Sequence, residues 1–336
     1  MNNAIIMSDL HLTSAARDEY RWGLFPWLVE VTDKIPAPIH DLFILGDLTD
    51  AKDRHDSVLV NRLVGALVNL YRRCKLHQIY ILHGNHDGVD PQTPYFKFLS
   101  CFPFIKYINT PTTMEISNRD VLFLPHSRNP VEDWKDLDLH APDFILMHGT
   151  VSGALAENGQ PLPSSLPKTL FHGVRGKVIS GDVHVPQKIG PVEYVGSPYP
   201  VHFGDTFTPR MIMYLDKKRV GDISMPCLRR HAITVRSLKE LEVGKFSVGD
   251  QIKIKLRLAR AEYVDWPKRK KEVQEFCDAH ELDLCGLQLE PMQRIKIRGP
   301  AVTKSIDPKT VFDQFCARQK ITNLVQEVGT ELLTLE

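Results

Sequence analysis

Short, continuous apolar runs recur in the N-terminal half of the chain and are separated by segments with helical periodicity. The apolar runs occupy residues 4–7, 42–45, 79–82, 121–124, 144–147 and 178–180. Runs of this length without polar alternation are typical of strands that are covered on both faces. Residues 20–31 and 57–71 place their apolar side chains on one helical face. The alternation of strands and helices predicts a layered α/β domain.

The pattern changes after residue 184. Short strands joined by tight turns are predicted at 192–195, 210–215 and 219–225, and a boundary follows near Pro226. Further strands are predicted at 231–235, 251–258 and 282–289. A helix is predicted at 267–279, with Asp265 as its N-cap and Pro267 in its first turn. These elements predict domains over 1–226 and 227–300, the second being a small α+β domain.

The remaining segment, 301–336, is predicted to be helical. Asp307-Pro308 has the character of an N-cap followed by a first-turn proline. Two apolar stripes at helical spacing follow, made by Val311, Phe312, Phe315 and Cys316, and by Leu324, Val328 and Leu332. These stripes either pack on their own domain or dock a partner protein, and the sequence leaves both interpretations open.

Charge is distributed unevenly along a chain of 336 residues whose net charge is +1. Residues 217–336 carry 23 basic and 17 acidic side chains, whereas residues 1–216 carry 19 and 24. The overall balance excludes a disordered charged tail and a globally basic nucleic-acid coat. The basic C-terminal part is compatible with a polyanionic substrate or with an ordinary solvated surface.

The cysteines and the N-terminus predict a cytoplasmic protein. Six scattered cysteines form no CxxC pair, and most of them lie in apolar runs, which indicates reduced core thiols. The first residues lack a signal-peptide pattern, and no apolar stretch is long enough to span a membrane.

Polar motifs follow the apolar runs at five places. They are Asp9-Leu10-His11, Gly46-Asp47, Gly84-Asn85-His86-Asp87, His148-Gly149 and Gly181-Asp182-Val183-His184. Ligands of layered α/β folds gather at the carboxyl ends of the strands, where these motifs are predicted to lie. Each motif alone is common, but five in this position indicate one metal site.

The donors in these motifs suffice for two divalent cations. Hydrolysis by two metals needs cations about 3.5–4 Å apart, which requires a bridging ligand, and Asp47 is the candidate. We expect Asp9, His11, Asp47 and His184 to hold one cation, and Asp47, Asn85, His148 and Asp182 to hold the other. Oxygen and imidazole donors without thiolate favour Mn²⁺, with Mg²⁺, Fe²⁺ or Zn²⁺ possible. This chemistry predicts phosphoester hydrolysis.

His86 directly follows a predicted ligand and is expected to lie near the phosphate instead. A histidine there can stabilise the transition state or protonate the leaving oxygen. Asp87 either orients the His86 imidazole or caps the following turn. The remaining histidines are interpreted as structural, with His126 and His202 also considered as substrate contacts.

These motifs resemble those of the calcineurin-like metallophosphoesterase superfamily, D-x-H, G-D, G-N-H-D/E, H and G-H-x-H. Asp182 stands where the family usually has histidine, which should disfavour softer metals. Within the superfamily, residues 181–187, Gly196-Ser197-Pro198-Tyr199-Pro200 and Phe203-Gly204-Asp205 resemble the SbcD-type DNA repair and recombination nucleases, including virus-encoded counterparts. The resemblance implies a layered β-sandwich flanked by helices, with a capping domain and C-terminal helices.

The resemblance also implies an activity and partners. It implies a manganese nuclease that degrades duplex DNA ends and cuts single-stranded or hairpin DNA. It further implies a homodimer and an SbcC-like SMC-type ATPase partner, with residues 301–336 as the docking element. Candidate DNA contacts are Lys268, Arg269, Lys270, Lys271, Arg294, Lys296, Arg298 and His202.

Two other functions fit the sequence less well. A phosphoesterase for small substrates, such as cyclic nucleotides or phosphoproteins, would not need the appended α+β domain. A non-catalytic scaffold for an ATPase would not need His86 or a bridging Asp47. The sequence therefore predicts a two-metal phosphodiesterase that acts on DNA.

Overall fold

The computed structural model describes residues 3–90, 92–164, 166–205, 207–215, 218–292, 312–313 and 315–316. Residues Met1–Glu290 form one compact unit and Pro291–Glu336 a second. The candidate DNA contacts Arg294, Lys296 and Arg298 lie outside the described residues, as does the predicted stripe of Leu324, Val328 and Leu332. The predicted boundary at residue 226 stays a prediction.

Fifteen strands are found in the described part of the chain. They are β1 (Ala4–Met7), β2 (Asp41–Ile44), β3 (Gln78–Leu82), β4 (Ile105–Ile108), β5 (Thr112–Glu115), β6 (Asp120–Leu124), β7 (Phe144–His148), β8 (Lys177–Gly181), β9 (Gln187–Ile189), β10 (Val192–Tyr194), β11 (Met211–Leu215), β12 (Lys218–Ile223), β13 (Arg230–Val235), β14 (Gln251–Leu258) and β15 (Asp283–Pro291). Within residues 3–292 the α-helices are α1 (Leu24–Lys34), α2 (Ser57–Arg73), α3 (Pro130–Asp133) and α4 (Trp266–Ala279).

Two six-stranded sheets form the larger part of the fold. Their strand orders are β12-β11-β1-β2-β3-β4 and β5-β6-β7-β8-β10-β9. Ile6 and Phe43 of the first sheet share a buried core with Phe123 and Leu146 of the second. The neighbouring side chain Ile5 points the other way, into a second core with the apolar faces of α1 and α2. This burial on both faces explains the continuous apolar runs and confirms the layered α/β prediction.

The strand ends that carry the motifs are aligned by parallel pairing. β1, β2 and β3 are parallel neighbours, with Met7 opposite Ile44 and Ile44 opposite Ile81. In the second sheet β6, β7 and β8 are parallel, with His148 opposite Gly181. Because the carboxyl ends of parallel strands end at one edge of a sheet, both sheets deliver their polar motifs to the same end of the sandwich.

The α+β part contains a three-stranded sheet in the order β13-β14-β15. One face of β14, made by Ile252, Ile254, Leu256 and Leu258, packs in a core with Val273 and Cys277 of α4. Asp265 is the N-cap of α4 and Pro267 lies in its first turn, as predicted, but the Asp265 side chain makes no capping hydrogen bond. A 3-10 helix, Arg260–Asp265, runs directly into α4 and places Asp265 in helical backbone geometry.

All six cysteines are free thiols. Among the described residues, no helix is both long and apolar enough to cross a membrane.

Candidate metal centre

The predicted ligands stand on strained backbone at the strand ends. Asp9, His11, Asp47 and Asp182 all have positive φ, between 43° and 77°. Such a conformation is uncommon for residues other than glycine and persists only where the surroundings fix it. Here the loops fix one another, because the His11 amide donates to the Asp47 carbonyl at 2.9 Å. The loops after β1 and β2 are thereby held together.

Glycines allow these loops to approach so closely. A Cβ atom on Gly84 would collide with the backbone nitrogen and carboxylate of Asp47. A Cβ on Gly181 would collide with Ser8 Oγ and the Leu45 carbonyl. Gly84 is therefore required by the close approach of two neighbouring loops of the first sheet, and Gly181 by close packing between the two sheets, which brings ligands from both sheets to one point.

The first ligand set contains Asp9, His11 and His184, whose ligand atoms lie within 4.8 Å of one another. The Nε2 atoms of His11 and His184 face each other at 3.0 Å. Two nitrogens that are each about 2.1 Å from one cation, at a right angle, are about 3.0 Å apart. Oδ2 of the fully buried Asp9 has no hydrogen-bond partner in the described structure. These atoms have the arrangement of ligands around a cation.

Carboxylates behind both imidazoles turn the Nε2 lone pairs toward this point. Nδ1 of His11 lies 3.2 Å from Asp50 Oδ1. Nδ1 of His184 lies 3.0 Å from Glu157 Oε1, although the geometry falls short of a hydrogen bond. A carboxylate beside Nδ1 favours a proton on that nitrogen and leaves Nε2 as the metal ligand. Burial opposes protonation of His184, but Glu157 and Asp9 raise its pKa. Without a cation, one of the two facing Nε2 atoms carries a proton and donates a hydrogen bond to the other, and a cation between them would take the place of that proton.

The second ligand set contains Asp47, Asn85 and His148. The side-chain oxygen of Asn85 lies 3.0 Å from His148 Nε2, and the Asn85 amide approaches the two carboxylate oxygens of Asp47 at 3.1 and 2.9 Å. Nδ1 of His148 is 2.6 Å from the Leu45 carbonyl, so it donates there and directs Nε2 into the site. Polar atoms that converge in this way are stabilised by a cation, or by rotation of the amide.

Asp47 lies between the two sets. Its Oδ2 is 3.5 Å from His11 Nε2, and its Oδ1 is 3.5 Å from His148 Nε2. One carboxylate oxygen thus faces each set, which is the position expected of a bridging ligand. Asp182 is more peripheral, because Thr150 donates to its Oδ2 at 2.5 Å and its Oδ1 is 3.6 Å from His148 Nε2.

Burial and mutual interaction shift the pKa values of the acids and imidazoles in the centre. Burial raises the pKa of Asp9, and it raises the pKa of Asp47 well above its usual value. Burial lowers the pKa of His11 to about 3, which keeps this imidazole neutral. Burial alone would also lower the pKa of His148, but the carboxylates of Asp47, Asp182 and Asp9 raise it to about 9. The residues present therefore fit two divalent cations.

His86 lies at the rim of this centre. Its backbone N–H donates to Asp47 Oδ1 at 2.8 Å, and its side chain is about one-third exposed. Its Nδ1 is 3.3 Å from the Asp50 carbonyl and 3.5 Å from Asp50 Oδ1. The ring contacts that of His11 edge to face, with centroids 4.9 Å apart. A ligand atom of His86 lies within 4.8 Å of ligand atoms of His11 and Asp47, so its contact with the phosphate rather than with a cation stays a prediction.

Asp87 has a different position from either role that the sequence suggested. Its carboxylate is fully buried and accepts hydrogen bonds from the backbone N–H groups of Gly84, Asp47 and Leu48 at 2.8, 2.9 and 2.8 Å. None of these contacts orients the His86 imidazole, and two of them reach 39 or 40 residues away in sequence. The contacts make Asp87 a positioning residue for the Asp47 loop.

The candidate DNA contacts divide into two groups. His202 lies beside the first ligand set, with its ring centroid 4.9 Å from that of His184. The cations of α4 are largely paired within the helix. Lys268 and Arg269 approach Glu272 at 4.0 and 3.1 Å, and Lys271 approaches Glu275 at 3.5 Å; Lys270 lies over the Trp266 ring. The structure does not bring these α4 residues to the metal centre.

Three residues near the ligands were missed by the sequence analysis. Asp50 contacts both His11 and His86, Glu157 lies beside His184, and Thr150 donates to Asp182. Only Asp50 carried a local signal, since it lies three residues after Asp47 in the same loop. The His126 ring lies 6.2 Å from that of His148, at the edge of a cavity of about 180 Å³ that Asp182 also lines.

Residues 3–186 match the family described as calcineurin-like phosphoesterase. The match covers more than half of the chain, which therefore belongs to this family. Its members are divalent-metal phosphoester hydrolases, in agreement with the ligand sets described above. The layered fold of sheets flanked by helices, which the resemblance implied, is confirmed; the capping domain and the C-terminal helices stay predictions.

Among solved structures, the chain is similar to an archaeal phosphodiesterase, with 12% identity over 66% of this chain and 99% of that chain and a TM-score of 0.35. A protein of unknown function from Aquifex aeolicus has 15% identity, coverages of 54% and 89%, and a TM-score of 0.29. A hypothetical protein from Thermus thermophilus has 14% identity, coverages of 66% and 96%, and a TM-score of 0.33. No curated protein matches the chain significantly. These likenesses identify no substrate.

Proposed function

We propose that this protein is a two-metal nuclease that hydrolyses phosphodiester bonds in DNA, comparable to the SbcD-type nucleases that its motifs resemble. The observation that carries the two-metal part is the position of Asp47, whose two carboxylate oxygens face different ligand sets at 3.5 Å. We propose Mn²⁺ as the metal, because the donors are oxygen and imidazole atoms.

The side chains of the centre would divide the work of hydrolysis. Bound cations would supply a water of lowered pKa and neutralise the phosphate. Asp47 would hold the two ligand sets at a fixed separation, and Asp87 would hold Asp47. His86, exposed at the rim, would donate a hydrogen bond to the phosphate or a proton to the leaving oxygen.

The attached α+β part supports a macromolecular substrate. Arg230 of β13 lies 3.3 Å from the buried Asp18 carboxylate, which follows the His11 loop. The amide of Gln251, at the start of β14, donates to the Arg17 carbonyl at 2.6 Å. A second layer of structure thus abuts the loop that carries a metal ligand. Such an extension would widen the substrate-binding surface beyond what a small ester needs.

One observation favours a phosphodiesterase of small substrates instead. The α4 cations, which were the main candidate DNA contacts among the described residues, are paired with Glu272 or Glu275 or stacked on Trp266. Paired surface cations contribute less to phosphate binding because the partner carboxylate must be displaced or tolerated. This alternative keeps the same metal centre and differs only in the substrate.

Substrate comparison with purified protein separates the two functions. End-labelled linear duplex and hairpin DNA would be digested with and without Mn²⁺, beside a cyclic nucleotide and bis(p-nitrophenyl) phosphate. The Asp47→Asn variant controls for contaminating nucleases. Mn²⁺-dependent DNA cleavage by the wild type, absent from the variant, is expected. Hydrolysis of the small diesters without any DNA cleavage would overturn the nuclease proposal.

We further propose a homodimer that binds an SMC-type ATPase through residues 301–336, and a cytoplasmic location. These proposals rest on the resemblance, since that segment lies almost wholly outside the described residues. Deletion of residues 305–336 should preserve Mn²⁺-dependent cleavage while preventing co-purification with the ATPase. Retention of the partner by the truncated protein would remove the docking role.

A further inference from the structure

A row of cations lies on the open face of the three-stranded sheet. Lys253, Lys255 and Arg257 alternate along β14 with the apolar residues that pack under α4, so the three cations share the opposite face. All three are exposed. β14 is the central strand of this sheet, and the row therefore runs along its middle.

Small side chains beside the row leave room for a ligand. Ala232 and Thr234 of β13 are the strand partners of Lys253 and Lys255. On the other side, a Cβ atom on Gly286 would meet Cγ of Lys253 at 3.3 Å, so glycine gives this lysine space. The result is a cavity of about 570 Å³, lined among others by Arg17, Ala232, Thr234, Lys253, Lys255 and Gly286. The cations that line this cavity are Arg17, Lys253 and Lys255, and among the described residues no carboxylate lines it.

The Lys253 end of the row adjoins the metal centre. Nζ of Lys253 lies 4.1 Å from the centre of the Phe203 ring, and the Arg230 guanidinium lies at the same distance from it. Phe203 directly follows His202, whose ring is 4.9 Å from that of His184. A continuous series of contacts therefore leads from a predicted metal ligand to the first cation of the row.

The spacing of the cations suits a nucleic-acid backbone. Alternate residues on a strand are about 6.6 Å apart, which is comparable to the separation of successive phosphates in an extended nucleic-acid strand. Lysine binds phosphate as a point charge and does not distinguish bases. Lys253 faces the Phe203 ring, whereas Arg257 is paired with Glu290 at 2.9 Å.

We propose that the open face of β13-β14-β15 binds the phosphates of one DNA strand, with Lys253 and Lys255 as the main contacts, and leads that strand to the metal centre. This inference rests on the proposed nuclease function. It places the sequence-independent contacts on β14 rather than on α4, where three of the four cations are paired with glutamates.

Binding of a fluorescein-labelled single-stranded oligodeoxynucleotide, measured by anisotropy in EDTA, tests the proposal without cleavage. Each lost phosphate contact should lower the slope of log K against log salt by about 0.7, or roughly fivefold in affinity at about 0.1 M salt. Lys253→Gln/Lys255→Gln should therefore weaken binding roughly 25-fold. Lys253→Arg/Lys255→Arg should retain the affinity.

A matched control removes two other lysines of the same domain. Lys239 and Lys245 lie on the connection between β13 and β14, whose Leu238, Leu241 and Phe246 pack in the core with α4. Lys239→Gln/Lys245→Gln changes the net charge equally and should leave the affinity unchanged. Melting temperature and Mn²⁺ titration would verify that both double variants keep the fold and the metal centre.

The outcomes separate this inference from the function on which it rests. If both double variants lose DNA affinity equally, or neither loses it, the proposed DNA-binding role of β14 is refuted. Cleavage of DNA by the wild type would in that case still support the nuclease function. Failure of the wild type to cleave DNA, with retained hydrolysis of bis(p-nitrophenyl) phosphate, would instead overturn the nuclease function itself.

Discussion

The contacts of Asp87 predict that its replacement weakens metal binding by displacing Asp47. Its carboxylate accepts three buried backbone N–H groups, of Gly84, Asp47 and Leu48. In Asp87→Asn the amide oxygen can replace Oδ2, which keeps two of these bonds. The amide nitrogen then faces the Leu48 N–H, and this donor loses its acceptor.

The expected loss of stability in Asp87→Asn follows from the single backbone N–H that is left without an acceptor. One buried donor without a partner costs about 1–3 kcal/mol. Burial raises the pKa of Asp87, which means that burying its charge is itself unfavourable. Removing that charge in Asp87→Asn therefore offsets part of the cost of the unpaired Leu48 N–H. We therefore expect a loss near the lower end of this range, or a few degrees in Tm at about 2–4 °C per kcal/mol. Asp87→Ala would orphan all three donors, about 3–9 kcal/mol, which approaches the whole stability of a typical protein.

Mn²⁺ affinity is the decisive measurement for Asp87→Asn. Loss of a group that orients a metal ligand typically weakens metal binding about 10- to 100-fold. Calorimetric Mn²⁺ titration and thermal unfolding in EDTA should both show the change, whereas turnover at saturating Mn²⁺ should largely recover. Asp53→Asn is the matched control, because Asp53 accepts the Val89 N–H at an exposed site. Unchanged Mn²⁺ affinity with lost turnover would refute the positioning role and make Asp87 catalytic.

Four further predictions concern the same centre. Asp47→Asn should abolish hydrolysis. The variant should remain folded in EDTA, as judged by circular dichroism, because the substitution removes a buried charge. Retained turnover would exclude the bridging role. His86→Ala should keep Mn²⁺ affinity and lower kcat about 100- to 10,000-fold; loss of metal instead would make His86 a ligand. Asp182→His should raise activity with Zn²⁺ relative to Mn²⁺, because imidazole is the softer donor; an unchanged ratio of kcat/KM values would contradict this. Because the His148 pKa is about 9 in the metal-free protein, Mn²⁺ must displace a proton at neutral pH. Its affinity should rise about tenfold per pH unit as the pH is raised from neutral toward that pKa, and titrations in buffers of different ionisation enthalpy should detect that proton; a pH-independent affinity would refute the assignment.

Most strands, and the polar motifs at their ends, could be predicted because both leave a local pattern; β4, β5 and β9 were not predicted. Burial on two faces removes polar alternation from β1, β2 and β7, and the polar motif begins where that burial ends. Parallel topology then determines which chain ends meet. The predicted bounds of most strands consequently agree with the structure to within a residue or two.

The supporting residues could not be predicted because their partners are distant in sequence. Asp50 lies 39 residues from His11, and Asp87 reaches back 40 residues to Asp47. From the sequence, a carboxylate directly after G-N-H could cap the following turn, orient the histidine or hold another loop. The positions of the loops are needed to choose among these roles. The same limit applied to α4, whose cations were visible in the sequence while their pairing with Glu272 and Glu275 depended on rotamers.

The strained backbone of the centre and its closely spaced carboxylates are both held in place by contacts elsewhere in the fold. Four ligands with positive φ cost about 1–3 kcal/mol each, a total comparable to the stability of a typical protein. The cost is sustained by contacts that do not involve a metal: the loop-to-loop bonds of Asp9 and His11, the three bonds to Asp87, and the close approaches at Gly84 and Gly181. These contacts preorganise the carboxylates of Asp9, Asp47 and Asp182, which repel one another. Positive charge relieves that repulsion, so cations would bind to a site that the fold has already formed, and their binding energy would add to stability rather than create the site.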